Sequence, residues 1–169
     1  TANNQSEDII VIATNIIVES GFKGNIQLFA KRNITIQPNV QLNYPSALVL
    51  FKNDDMTITK QPIIEVGEKS IIEGVIWLEE LKVNRTKGIV ILKENTLVHG
   101  QIISNGFVDT KGKVYGNITC TGFFLKTAAS IYENHLFNTE INATKLNPYF
   151  LNHRIFDKTK SNKIIKWLE

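Results

Sequence analysis

The sequence predicts an all-β fold: a single-domain parallel β-helix, or β-solenoid, of about six irregular coils over residues 1–140. A non-repeating segment, 141–169, follows as a cap or side-packing strap of the same domain. Three observations lead there. Apolar residues alternate with polar ones at period 2, as in Ile34-Thr35-Ile36 and Val98-His99-Gly100-Gln101-Ile102, which is the signature of strands buried on one face. A glycine-centred strand motif recurs. The pattern then changes after residue 140.

The elements follow in chain order. Thr1 to Asp8 is a polar lead-in with no initiator Met, basic n-region or cleavage signal, so the chain reads as a mature form or an excised fragment and leaves its compartment open. The motif, apolar-x-Gly-x-apolar, begins at Phe22-Lys23-Gly24-Asn25-Ile26. It recurs at Ile72-Glu73-Gly74-Val75-Ile76, at Val98 to Ile102 and at Val114-Tyr115-Gly116-Asn117-Ile118. A weaker copy near Leu42 to Leu48 has Pro45 at its pivot, and a degenerate copy, Tyr132 to Leu136, has Asn134 there. Asn and Gly both tolerate bent or left-handed backbone, so that exchange is physically reasonable. The pivots at 24, 45, 74, 100, 116 and 134 give a repeat of roughly twenty residues. Units this short bury an apolar face only by stacking on one another. The longer spacings call for loops at Lys52 to Pro62 and at Leu81 to Gly88. A β-sandwich is the competing fold, but its turns usually carry Asn-Gly or Asp-Gly, and Asn105-Gly106 is the only such pair. Past Ile141 the alternation is lost, and Ile164, Ile165 and Leu168 fall at near-helical spacing behind Ser161 as a candidate cap, a cover for the end of the stack or a docking helix.

Composition excludes several classes. With 169 residues, 43% hydrophobic and 21% charged, the chain is an ordinary globular domain rather than a disordered one. The longest apolar runs, such as Ile9 to Ala13, are too short to span a bilayer as a helix. One cysteine, Cys120, excludes an intramolecular disulfide framework and a Cys-rich metal site. The net charge is +3, with the excess concentrated in the tail at Arg154, Lys158, Lys160, Lys163 and Lys166. That reads as a solvated segment; a nucleic-acid domain would be more basic and would interleave aromatics over a broad face.

No phosphate-binding glycine loop and no nucleophile elbow is present. His99, His135 and His153 are scattered, although His99 and His135 both neighbour pivots and would approach each other if the coils stacked in register. The carboxylates that an acid/base or Ca²⁺ site on one exposed face would draw on are Asp54, Asp55, Glu65, Glu68, Glu73, Glu79, Glu80 and Asp109. Glu79 and Glu80, adjacent in a strand, point to opposite faces and form no catalytic pair. Glu73 and His99 share a motif position, as do Lys23 and Tyr115, and that position varies as a solvent-facing one does. Cys120 reads as a small filler, and Trp77 and Trp167 as core or rim aromatics. Asn33, Asn84, Asn117 and Asn142 head glycosylation sequons, a match that an Asn- and Thr-rich chain makes by chance. No catalytic, cofactor-binding or metal residue is assigned, and no cofactor is expected.

The glycine-centred repeat, with Ile or Val on both sides and runs such as Lys111-Gly112-Lys113-Val114-Tyr115-Gly116-Asn117-Ile118, resembles the bactofilins, most clearly over residues 63–136. The resemblance implies a right-handed β-helix and a non-enzymatic, self-associating scaffold of the bacterial envelope that uses no nucleotide. This chain departs from that pattern in its irregular spacing, its pivot proline and its long C-terminal segment, which would cover an end needed for polymerisation. The functional expectation is a structural protein acting through protein partners or self-association, with no nucleic acid and no membrane span. The alternative is a carbohydrate-binding or carbohydrate-active β-helix.

Overall fold

The computed structural model describes residues 5–52, 61–81, 87–127 and 129–151. The chain is all-β. Its strands are β1 (Gln5–Val18), β2 (Lys23–Ile36), β3 (Gln41–Lys52), β4 (Ile63–Val66), β5 (Ile71–Glu80) and β6 (Ile89–Leu92), then β7 (Leu97–Ser104), β8 (Phe107–Thr110), β9 (Lys113–Thr119), β10 (Gly122–Lys126), β11 (Ile131–Glu133) and β12 (Glu140–Ile141). Among the described residues the one helical element is a 3-10 turn, Ala143–Lys145.

The strands form one twelve-stranded sheet that curls as an open half-barrel. Long β2 is its spine: residues from Lys23 pair with β3, and Asn33 to Ile36 pair with β4. Two limbs leave it, β3-β5-β7-β9-β12 and β4-β6-β8-β10, and β1 covers β2 along its length. All ladders are parallel except β10–β11.

Parallel register turns the sequence alternation into columns. Leu28, Leu48, Ile76 and Ile102 stand in one file. Ile34, Ile64, Val90 and Val108 stand in another, on the opposite limb. Both files are buried in the same apolar cluster, so the concave face of the curl is the core. Each Ile, Leu or Val taken out of water there stabilises the fold by roughly 1.5–3 kcal/mol before the entropy of ordering is subtracted.

The corners stack as well. Asn39, Lys69 and Asn95 occupy successive turns with φ of 62°, 56° and 58°. The amide of Asn39 donates to Glu68 O at 3.0 Å, and that of Lys69 donates to Glu94 O at 3.3 Å. Ser70 is buried at the same corner, where its hydroxyl accepts from Val40 N at 3.2 Å and donates to Gln37 O at 3.1 Å. A buried hydroxyl costs little when both of its roles are filled in this way.

Only three of the six expected pivots share a rung. Gly74, Gly100 and Gly116 pair directly with one another. Their φ values are 154°, 154° and 155°, and a Cβ on any of them would overlap the carbonyl oxygen of the rung beneath. Gly24 is displaced: it pairs with Leu42, which pairs with Ile72, two residues short of Gly74. Pro45 is not a pivot either. The stretch between Leu42 and Ser46 is two residues longer than Ile72 to Gly74 opposite it, and Ser46 takes the rung. Asn134 lies where the chain has reversed, because β11 runs antiparallel to β10 and the Asn134 amide donates to Phe123 O at 2.6 Å. The parallel column resumes instead at β12, with Glu140 on Lys113 and Ile141 on Val114. Asn105-Gly106 makes a tight corner between two parallel strands, not a hairpin. The expected loop centres, 53–60 and 82–86, and the candidate helix at Ser161 lie outside the described residues.

The glycine file makes a direct prediction. Gly100→Ala should lose at least about 3 kcal/mol in urea denaturation, because strain and backbone overlap combine. Gly21→Ala, at φ 80° with open space around it, should lose only about 1 kcal/mol. Equal losses would show that the rungs at Gly100 can spread apart.

Candidate functional site

Beside the glycine file runs an outward file of unlike side chains: Glu73, His99 and Tyr115, in register on β5, β7 and β9. The sequence placed Glu73 and His99 together and Lys23 with Tyr115. The register keeps Tyr115 with His99 and removes Lys23, which pairs with Gln41 and through it stands level with Ile71. The His99 and Tyr115 rings meet edge to face with centroids 5.2 Å apart.

Two irregularities wall this file into a groove. The extra residues of β3 carry Tyr44 outward, and its amide donates to Glu73 Oε2 at 3.4 Å. The C-terminal strap folds back along the other side. Asn142 caps its 3-10 turn by accepting from Thr144 N at 3.0 Å. A second turn follows, with Tyr149 N donating to Asn147 Oδ1 at 2.9 Å and Phe150 N donating to Asn147 O at 2.9 Å. Phe150 then lies against Gly100, in the hollow that missing side chains leave, and its ring centroid is 5.5 Å from that of Tyr44. The groove encloses about 710 Å³, between Tyr44, Glu73 and His99 on one side and Lys145, Tyr149 and Phe150 on the other.

Lys145 fastens the strap. Its ammonium donates to Glu140 Oε1 at 2.6 Å and to Tyr115 OH at 3.2 Å, and stands 4.4 Å from the Tyr115 ring centroid. The hydrogen bond from Lys145 holds the Glu140 carboxyl below its ordinary range, and the same bond pushes the Lys145 ammonium up. Lys113 adds a second cation 3.5 Å from Glu140.

The other candidate residues are dispersed. Glu65 pairs with Lys93 at 3.4 Å, Glu68 is exposed on a corner, and Glu79 is half-buried beside Trp77 and Cys120 along a shallower groove. Glu80 faces the other way, as adjacent strand residues do, and is buried. Its Oε1 accepts from Gly88 N, its Oε2 lies 4.0 Å from Lys52 Nζ, and Asn105 bonds both its backbone N–H and its C=O. His135 sits by Tyr132 on the reversed segment, not beside His99. Among the described residues no group of three His, Cys, Asp or Glu side chains is placed to hold a metal ion. Cys120 packs against the core, and burial pushes its thiol up. Asn33 bonds Asn15 at 3.2 Å, and Asn142 is the cap already described. Asp54, Asp55, Asn84, His153 and Trp167 lie outside the described residues.

Asp109 corrects an expectation. The sequence grouped it with exposed carboxylates, but the residue is only 7% exposed and its Oδ1 has no hydrogen-bond partner. Burial raises its pKa, with Lys111, a backbone N–H at Lys126, Lys93 and the Lys126 charge opposing. A carboxyl whose folded pKa is raised binds its proton more tightly in the native state. Its share of stability is therefore fully present below pH 3.8 and lost as pH rises through the folded pKa. Asp109→Asn should accordingly stabilise the protein at pH 7 by about 1 kcal/mol, with the difference from wild type closing as the pH falls to the unfolded-state value. Urea midpoints of both proteins across pH check this; an advantage independent of pH would mean that the charge is not what costs.

Comparison with protein-family models, with curated proteins and with solved structures returned no match.

Proposed function

We propose that this chain is a non-enzymatic structural protein that works through protein–protein contacts, first of all with a second copy of itself. In this reading the curled sheet is a parallel β-solenoid, in which β1 and β12 belong to opposite ends of the stack. The in-register parallel files on both limbs, facing one core, support the solenoid. The bactofilin resemblance of the glycine motif supports an envelope-associated scaffold by analogy of pattern.

The observation that carries the reading is β1. It is fourteen residues long and, among the described residues, pairs only with β2, so one whole edge is open. Ile10, Ile12 and Ile17 are 62%, 75% and 61% exposed along it. Natural sheets usually blunt such an edge with charge, proline or a bulge, because an open edge templates pairing with another chain. β1 has a register shift between Ser6 and Ile9, but Ile9 to Ala13 run in unbroken register with no charge or proline. Across a two-fold axis two β1 strands would pair antiparallel, burying the same isoleucines on both sides. The far end differs. There antiparallel β11 covers β10, and β12 offers only two residues. Association through β1 alone therefore stops at a dimer.

Sedimentation velocity over a wide concentration range, with negative-stain images of the same samples, tests this. A monomer–dimer equilibrium is expected, and Ile12→Lys should weaken it by about tenfold or more by placing a charge on the edge. A strict monomer at every concentration sinks the self-association reading. Long filaments would show that the covered end also pairs.

A further inference from the structure

The groove over the glycine file has no part in self-association through β1, and its lining is unusual for an idle surface. Tyr149 is 88% exposed and Tyr44 42%, both beside Phe150 in a concavity of about 710 Å³. That size lies in the range of small-ligand sites, and such sites combine ring surfaces with a few polar groups. The polar groups here are Glu73 and His99 on adjacent rungs, about 4.8 Å apart by strand spacing. One is a carboxylate acceptor and the other an imidazole that both donates and accepts.

We propose that this groove is a binding site for a neutral oligosaccharide, a short stretch of glycan chain. A pyranose ring has C–H faces that lie flat on an aromatic ring and hydroxyls around its rim that exchange hydrogen bonds. Tyr149 supplies the open ring face, Tyr44 and Phe150 the apolar wall, and Glu73 and His99 take hydroxyls from the floor. The groove runs along the stacking direction, across the strands, and the strands beneath it are already paired on both sides. It thus offers no free sheet edge to an extended peptide. Charge argues for a neutral ligand: the Lys145 ammonium is engaged by Glu140, and Glu73 would repel an acidic sugar. Hydrolysis is not part of the proposal. Glycoside cleavage of the usual kind needs two carboxyls flanking the bond, and Glu73 is the one carboxylate among the described residues lining this groove.

The test uses the full chain with chitotetraose, cellotetraose and a decaproline peptide as probes, read by saturation-transfer NMR and by calorimetry. At least one oligosaccharide should bind with Kd of about 1 mM or tighter and be recovered uncleaved. Tyr149→Ala should weaken it about tenfold; that side chain is so exposed that folding is preserved. Glu73→Gln should weaken it less, and Phe51→Ala, exposed but away from the groove, should leave it unchanged. Absence of transfer from both sugars, binding that Tyr149→Ala leaves intact, or binding of decaproline alone would overturn the proposal. None of these outcomes depends on whether the chain is a monomer or a dimer.

Discussion

The constraint on which the rest of this structure depends is the close approach of parallel backbones at one position on three successive strands, β5, β7 and β9. The carbonyl oxygens of Ser46, Gly74 and Gly100 occupy the space where a Cβ on Gly74, Gly100 and Gly116, respectively, would be. No side chain fits there, and no L-residue favours that φ. Once the bend sits at the same place in three successive strands, the residues on either side of it must fall into register. The inward files of Val and Ile and the outward file of Glu73, His99 and Tyr115 follow from that one alignment. The same rows of missing side chains leave a hollow on the convex face. Phe150 fills part of it, so the feature that sets the register also creates the groove.

How much of this was legible in the sequence differs by feature. The β class and the files of the core were legible, because period-2 burial against one core leaves its mark on every strand. The glycines at 74, 100 and 116 were legible because the motif around them is nearly constant. The copies at 24, 45 and 134 misled for three separate reasons. Gly24 has the right neighbours but stands two residues out of register, which no local pattern can report. Pro45 belongs to an inserted stretch, and the residue that keeps the rung, Ser46, does so through its backbone and a hydroxyl that accepts from Ile26 N at 3.1 Å. Asn134 adopts left-handed backbone, as its type allows, but uses it to hold a reversed strand.

The candidate site was less legible still. Glu73 and His99 were visible as motif partners, yet the groove needs Tyr44 from an insertion and Tyr149 and Phe150 from a non-repeating strap, about a hundred residues apart in the chain. A repeat pattern describes only what repeats, and here the site is built from the departures. Asp109 shows the same limit from the other side. Its alternation on β8, next to inward Val108, is that of an outward residue, and its burial is nothing that the pattern of its own strand can report.

The two ends of the curled sheet are finished differently. After Lys126 the chain departs from the repeat: β11 turns back on β10, Glu140 and Ile141 close over β9, and Lys145 ties the strap to Glu140 and Tyr115. Each step spends sequence on covering an end that would otherwise expose paired-strand edges, as the physics of open sheets demands. β1 receives no such cover among the described residues, and its outward isoleucines are retained. An edge of that length left bare, opposite one that is closed, is the asymmetry on which the proposed self-association rests. The groove lies over β3, β5 and β7, with β2 between it and β1, so pairing at the free edge of β1 leaves it open to solvent.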